Sequence, residues 1–256
     1  MTGPTDARPL KIRIADSLRD KIERGELSPG EQLPTLEELA GEFMCGLTAV
    51  RDAVELLRQQ GLVISQRGLG SFVRQRATAR RHGMERYSRS RWAGGHAVLI
   101  AEAAAQGITA NQIIRELAEV PAPPEVARRL GIEPGTAVWA RRRTTLIEGR
   151  PNQLADSYYT LDLVERVPRL RDEDTGPGGG FARIEEAGIR LDEIEEEHDI
   201  RMPTWRETSN LRLPEGTPVA DLYRTTFDVD GRPVEIMHAV IAGDMVHFSN
   251  RFKIPD

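Results

Sequence analysis

The chain has 256 residues, 39% hydrophobic and 29% charged, which is apolar enough to bury a core and long enough for two domains, one small and one larger. No apolar run approaches the roughly 18–20 residues of a membrane span, and the opening residues 1–6 lack a basic segment followed by an apolar one, so a cytoplasmic protein without a membrane partner is expected. The net charge of −5 excludes a protein that coats nucleic acid over its whole surface, yet it is unevenly spread: residues 1–91 carry 16 Lys and Arg against 12 Asp and Glu, residues 92–256 carry 19 against 28.

From Pro9, the apolar residues Leu10, Ile14, Leu18 and Ile22 recur every four positions, which predicts a helix with one buried stripe to about Arg24, ended by Gly25. The stretch 27–34 is dense in turn residues. Thr35 with Glu38 three positions on reads as a capping box that opens a second, short helix, Leu36–Phe43. Gly46 supplies a turn, and Val50, Ala53, Val54, Leu56 and Leu57 mark a third helix from about Leu47 to Gln60, closed by Gly61. The lone Cys45 falls in this helical pattern as a small hydrophobe. Two strand-like runs, 62–65 and 71–74, flank Arg67-Gly68-Leu69-Gly70, whose glycines permit a tight hairpin. Three helices with a tight turn followed by a hairpin are what a winged helix-turn-helix requires. The mechanism this implies is a third helix entering a DNA major groove from its N-terminal end while the hairpin tip reaches backbone or minor groove.

Gly25, Leu27, Pro29-Gly30, Leu33-Pro34, Glu38-Leu39-Ala40, Val50-Arg51, Gly61-Leu62-Val63 and Gly68 with Gly70-Ser71-Phe72-Val73 resemble the DNA-binding domain of the GntR family of bacterial repressors, from Pro9 to Val73. The resemblance implies a double-stranded DNA operator as partner and Lys11, Thr35, Thr48, Ala49, Arg51, Arg67, Gly68 and Gly70 as contact positions. Family members carry arginines where this chain has Glu37 and Leu47, so their usual operator preference does not transfer. Arg is the side chain suited to bidentate contacts, and Glu37 near phosphate would need compensation from Arg51, Arg67 or Lys11.

Residues 76–95 are rich in Arg (76, 80, 81, 86, 89, 91) and poor in aliphatics, which predicts a solvated linker between a DNA-binding domain at 1–75 and a second domain at 96–256, with DNA contact as the alternative. Beyond it the pattern is strand-dominated and repeats itself. Gly135-Thr136-Ala137-Val138 is followed eight residues after its Gly by Arg143-Thr144-Thr145 and then by Gly149-Arg150-Pro151. Gly216-Thr217-Pro218-Val219 is followed at the same distance by Arg224-Thr225-Thr226 and then by Gly231-Arg232-Pro233. Each copy predicts a hairpin whose return strand is 152–160 or 234–242. With helices at 124–130 and 203–211, the second domain reads as α+β around an antiparallel sheet.

That echo, with Pro233-Val234-Glu235 and Gly243-Asp244-Met245-Val246-His247-Phe248, resembles the UTRA effector domain of the HutC subfamily, which has a chorismate-lyase-like fold, over roughly residues 96–256. The resemblance implies a small-molecule effector in a cleft between the two halves, held by Arg143, Thr145, Asp156, Tyr158, Arg224, Glu235 and His238, with Arg141 sharing the face of Arg143 by strand alternation. Family members often have a second Arg where Thr145 stands. Equivalent positions of a two-fold unit face one cleft, where Arg143 and Arg224 can clamp an anion; the alternative is an internal salt bridge to Asp156, Glu235 or Asp221.

Other signals carry less. The glycine run at 176–180 lacks the Lys-Ser/Thr ending of a phosphate loop and reads as a flexible crossover; the acidic run 195–199 reads as an exposed strand; the five His lack metal-ligand spacing. No cofactor, metal or catalytic group is expected. The function expected is a ligand-responsive regulator, usually a repressor in this family, that binds a pseudo-palindromic operator as a homodimer. The alternatives are a regulator without an effector and a chorismate-lyase-like enzyme.

Overall fold

The computed structural model describes residues 7–66, 68–74, 79–89 and 98–251. The chain divides into two compact units, residues 1–76 with 213–217, and residues 77–212 with 218–256.

In the first unit, α1 (Leu10–Glu23), α2 (Leu36–Glu42) and α3 (Leu47–Gln59) precede a hairpin of β1 (Val63–Gln66) and β2 (Gly70–Val73). The stripe of α1 is buried as its spacing requires, with Ile14, Ala15 and Leu18 against Leu39, Val50, Ala53, Val54 and Leu57. Thr35 caps α2: its Oγ1 accepts from the Glu38 backbone N–H while the Glu38 carboxylate accepts from the Thr35 N–H, satisfying two donors the helix leaves orphaned. Between α2 and α3, Met44 adopts φ 48°, a left-handed conformation more often given to Gly. Gln32 bridges Phe72 and the Leu33 N–H donates to the Ser71 carbonyl at 2.8 Å, which braces the hairpin along its free edge.

The second unit is built on one six-stranded antiparallel sheet. In spatial order it runs β4 (Ala110–Pro121), β5 (Ala137–Ile147), β6 (Arg150–Thr160), β9 (Pro233–Ala242), β8 (Val219–Asp228), β7 (Leu191–Arg201). The duplicated hairpins, β5–β6 and β8–β9, lie in two three-stranded halves that meet at β6 and β9, so the class expected from the repeat is the one found. The helix predicted at 124–130 is α5 (Pro124–Leu130). It covers one face with Val126, Ala127 and Leu130 on Val138, Ala140, Tyr158 and Ile236. The other face is covered by α6 (Leu161–Arg166), a short 3-10 turn, and α7 (Gly179–Glu186), whose Phe181 and Ile184 pack with Tyr159, Leu163 and Leu170.

Both hairpins carry a bulge at the same place. Thr145 pairs with Gln153 while Leu146 pairs with Pro151, so Asn152 is extra; Thr226 pairs with Glu235 while Phe227 pairs with Pro233, so Val234 is extra.

The expected linker differs from what is found. Ala79–His82 forms β3, paired in parallel with β10 (Val246–Ser249), and a 3-10 turn follows at Met84–Tyr87. Arg81 is 4% exposed and Arg86 3%, so this arginine-rich stretch is partly built into the second unit rather than solvated. The composition misled because two of these guanidiniums have polar partners: Arg81 donates to the Gln153 side chain at 3.3 Å, and Arg86 pairs with Glu102 on α4 (Val98–Ala104) at 3.4 Å.

Candidate functional site

Helix α3 buries Val50, Ala53, Val54 and Leu57, and its remaining face presents Leu47, Thr48 and Arg51 to solvent at its N-terminal end. Arg8 and Arg19 pair with Asp16, Lys21 with Glu42, Arg24 with Glu26 and Arg58 with Glu55. The side chains of Lys11 and Arg51, by contrast, are exposed and pair with no described residue. A cation left without a carboxylate partner remains available to a phosphate or a base edge. Arg51 also borders a groove of about 380 Å³ whose opposite wall is the hairpin, at Ser65, Leu69 and Ser71.

The remaining contact candidates divide. Thr48 is exposed beside Arg51, and Gly68 and Gly70 take φ 78° and 109° in the hairpin turn, a backbone that only Gly adopts freely. Thr35 is committed to its capping box, and Ala49 packs partly against the core. Arg67 lies outside the described residues.

In the second unit, the side chains of Arg141 and Arg143 on β5 point to the same sheet face as Ser157 and Tyr159 on β6, Glu235 on β9 and Arg224 on β8. With Arg81, Arg86 and the backbone of Gly178–Gly180 these strands enclose a cavity of about 90 Å³. Arg143 and Arg224, the equivalent residues of the two hairpins, thus do face one cavity, but they are not in the same state. Arg224 is buried and paired with Glu235 at 2.5 Å, its guanidinium 4.8 Å from the Phe181 ring centroid. The residue equivalent to Glu235, two positions after the Gly-Arg-Pro proline, is the neutral Gln153. Arg143 donates to the Ser157 hydroxyl at 2.6 Å and is ion-paired to no carboxylate among the described residues, though the Glu235 charge is felt across the cavity. The internal salt bridge weighed as an alternative exists in one half and not in the other.

Arg141 donates to the backbone carbonyls of Asp172 and Glu173, and Arg81 to Gln153, so neither makes a direct ion pair among the described residues. Burial, and then the neighbouring Arg86 charge, pulls Arg81 down to about 10, still cationic at neutral pH. Burial and then Arg143 lower Arg141 in the same direction. Arg81, Arg141 and Arg143 thus make no direct ion pair among the described residues, while Arg224 and Glu235 pair with each other on the same cavity. A larger groove of about 480 Å³ borders Tyr87 and Phe181, but Asp192, Glu193 and Glu196 line it, and it is unsuited to negative charge.

Three of the expected effector residues are corrected by strand parity. Asp156, Tyr158 and His238 occupy alternate positions that face away from the cavity. Asp156 pairs with Arg115 and Arg142, Tyr158 packs under α5, and His238 Nε2 lies 2.5 Å from Asp221 with its ring stacked on Tyr223. Thr145 shares the cavity face but is fully buried, taking a hydrogen bond from Gln112 at 3.5 Å, and does not line the cavity. The glycine run read as a flexible crossover starts α7 and forms cavity wall. A Cβ at Gly180 would stand 3.1 Å from the Tyr159 hydroxyl, so this approach is tight for any other residue. Gln153, Ser157 and Tyr159 were missed, as were Arg81 and Arg86; the signal for the first three lay in the spacing of Gln153 after Pro151, matching Glu235 after Pro233.

Several carboxylates of this unit are held below their ordinary value of 4.5. Burial opposes ionisation of Glu196, but a hydrogen bond from His198 and the charges of Arg81 and Arg86 outweigh it and hold it at about 2. Glu207, hydrogen-bonded by Arg201, also sits at about 2. For Glu235, burial is again overcome by Arg224 and Arg143, and the net direction is downward. A depressed folded-state value contributes stability that is complete above the unfolded value and lost as pH falls toward the folded one. The second unit is therefore expected to lose stability steadily between pH 4.5 and about 2, and a denaturant midpoint that stayed flat across that window would contradict these pairings.

Comparison with known proteins adds three findings. Residues 10–73 match the family model described as bacterial regulatory proteins, gntR family, and residues 105–247 match the UTRA domain. The chain is 36% identical over 249 residues to an uncharacterised HTH-type transcriptional regulator of Streptomyces coelicolor, covering 95% of this chain and 92% of that one. It is 27% identical to the mannosyl-D-glycerate transport/metabolism system repressor MngR of Escherichia coli K12, covering 89% of each. Among solved structures, a GntR-family transcriptional regulator superposes with a TM-score of 0.69 at 26% identity, over 97% of this chain and 99% of that one. These relatives are transcriptional regulators, not enzymes. No helix among the described residues is long and apolar enough to cross a membrane.

Proposed function

This chain belongs to the gntR family of bacterial regulatory proteins, with a UTRA domain following its winged helix, and on that premise we propose that it is a cytoplasmic repressor whose grip on an operator is set by a small anionic metabolite. Two copies bind a pseudo-palindromic site, each laying α3 in the major groove with Thr48 and Arg51 toward base edges and Lys11 toward phosphate. The metabolite occupies the cavity between the sheet and α7, with Arg143, Arg141 and Arg81 as its counter-ions. It acts by binding one arrangement of the two reading heads better than another. The observation that carries the effector half is the neutral Gln153 at the place that Glu235 takes in the other hairpin, with Arg143 hydrogen-bonded to Ser157 and not ion-paired.

Selection of fragments from the source genome by the full-length chain tests the operator half. On the selected site, Arg51→Ala is expected to weaken binding by about 5- to 150-fold, the worth of one good base contact, and to relax selection at one position. Phosphate loss alone would weaken all sequences evenly and lower the salt slope instead. Unchanged affinity would remove Arg51 from the interface. Sedimentation of the protein on a site with one or two half-sites checks the pairing of copies.

A further inference from the structure

Where α3 meets solvent at its N-terminus, its first residue is apolar. Leu47 is 41% exposed and stands outside the packed core, whereas the neighbouring Cys45 and Ala49 pack against that core. Met44, the left-handed residue of the preceding turn, is 91% exposed, so the approach to α3 is apolar on both sides of Gly46. Leu47 shares the outward face of the helix with Thr48 and Arg51, four residues being close to one turn. Leu47 is not among the residues that build or pack against the described core of the first unit, so that core does not call for a leucine there.

We propose that Leu47 is a specificity-determining residue that reads the C5-methyl group of thymine in the major groove. This rests on the operator-binding reading above and adds to it which base chemistry is selected. A leucine has no hydrogen bond to offer; against a phosphate it would strip water and return nothing. Among the major-groove edges of the four bases, thymine alone presents a methyl group, and burying apolar surface against it is the one favourable contact open to Leu47. The position of the thymine follows from the helix. Leu47 and Arg51 are about 6 Å apart along the axis, less than two base-pair steps of about 3.4 Å, so the methyl lies within about two base pairs of the position that Arg51 reads. An arginine in place of Leu47 would offer two donors to guanine, so this one residue moves preference between T·A and G·C pairs.

The test uses the full-length chain and a site it selects from genomic DNA. Each thymine of that site is replaced singly by deoxyuridine, which removes the methyl and keeps every hydrogen-bonding group. One or two thymines near the position relaxed by Arg51→Ala are expected to show about fourfold weaker binding, the worth of one buried methyl group. The Leu47→Ala protein, whose exposed helical position tolerates alanine, is expected to bind thymine and deoxyuridine sites alike, and Leu47→Arg to select G·C at that position. Selective binding that ignores every methyl, or an equal methyl effect in Leu47→Ala, overturns the proposal while leaving the regulator reading in place. Failure of the parent protein to select any site overturns both.

Discussion

Replacement of Glu235 by Ala is expected to destabilise the second unit by about 3–5 kcal/mol, the cost of breaking a buried ion pair by removing one partner. Glu235 is buried, accepts from the Tyr159 hydroxyl at 2.8 Å and holds Arg224, itself buried beside Tyr87 and Phe181. Without it, a guanidinium stays in the interior with no countercharge and a tyrosine hydroxyl loses its acceptor. Against a typical domain stability of about 5–15 kcal/mol, the loss leaves the unit marginal. Urea unfolding of the full chain, followed by a probe of the sheet, should show the midpoint fall. Glu235→Gln keeps the shape and an acceptor and should fall less. An unshifted midpoint in the Ala variant would mean that water reaches Arg224 and that the pair is not an interior one.

The second large effect concerns the anion. Arg143→Ala removes a charge-assisted hydrogen bond, and such bonds contribute about 1.5–3 kcal/mol, so phosphate binding by the full chain is expected to weaken by about 10- to 150-fold. Gln153→Glu should do the same without deleting any guanidinium. It places a second carboxylate on the cavity beside Glu235, in hydrogen-bond reach of Arg81, and so adds negative charge where the anion would sit. Titration calorimetry with inorganic phosphate, and operator release by the same titration, measure both variants. Phosphate bound as tightly by Gln153→Glu as by the parent would show that the seat is elsewhere.

Much of this was legible in the residues. Gly25, the Thr35–Glu38 box and the apolar spacing of α1 and α3 act locally, and local rules place them within one residue of where they are found. The duplicated Gly…Arg-Thr-Thr…Gly-Arg-Pro unit located Arg143 and Arg224 on one cavity, because equal places in equal hairpins face the same way. Which return-strand residues join them was legible only through the match of Gln153 after Pro151 to Glu235 after Pro233, and simple hairpin pairing points the other way. In a hairpin paired without interruption from Ile147 and Arg150, Arg141 would oppose Asp156 and the even residues of β6 would face the cavity. The extra Asn152 shifts the pairing by one, so that Arg141 opposes Ser157 and the odd residues take their place. A bulge of this kind is decided by the whole sheet and leaves no composition signal. Arg81 and Arg86 were hidden for a related reason: an arginine-rich segment buries itself only when distant partners such as Gln153 and Glu102 are assembled around it.

The paired bulges make the two hairpins interchangeable frames for a guanidinium and the side chain opposite it. In one frame Arg224 is paired with its own acid, Glu235; in the other Arg143 is held by the Ser157 hydroxyl and makes no ion pair among the described residues. If the proposed anion site is right, exchanging Gln and Glu between positions 153 and 235 is expected to move the unpaired guanidinium from Arg143 to Arg224 without altering the number of charges.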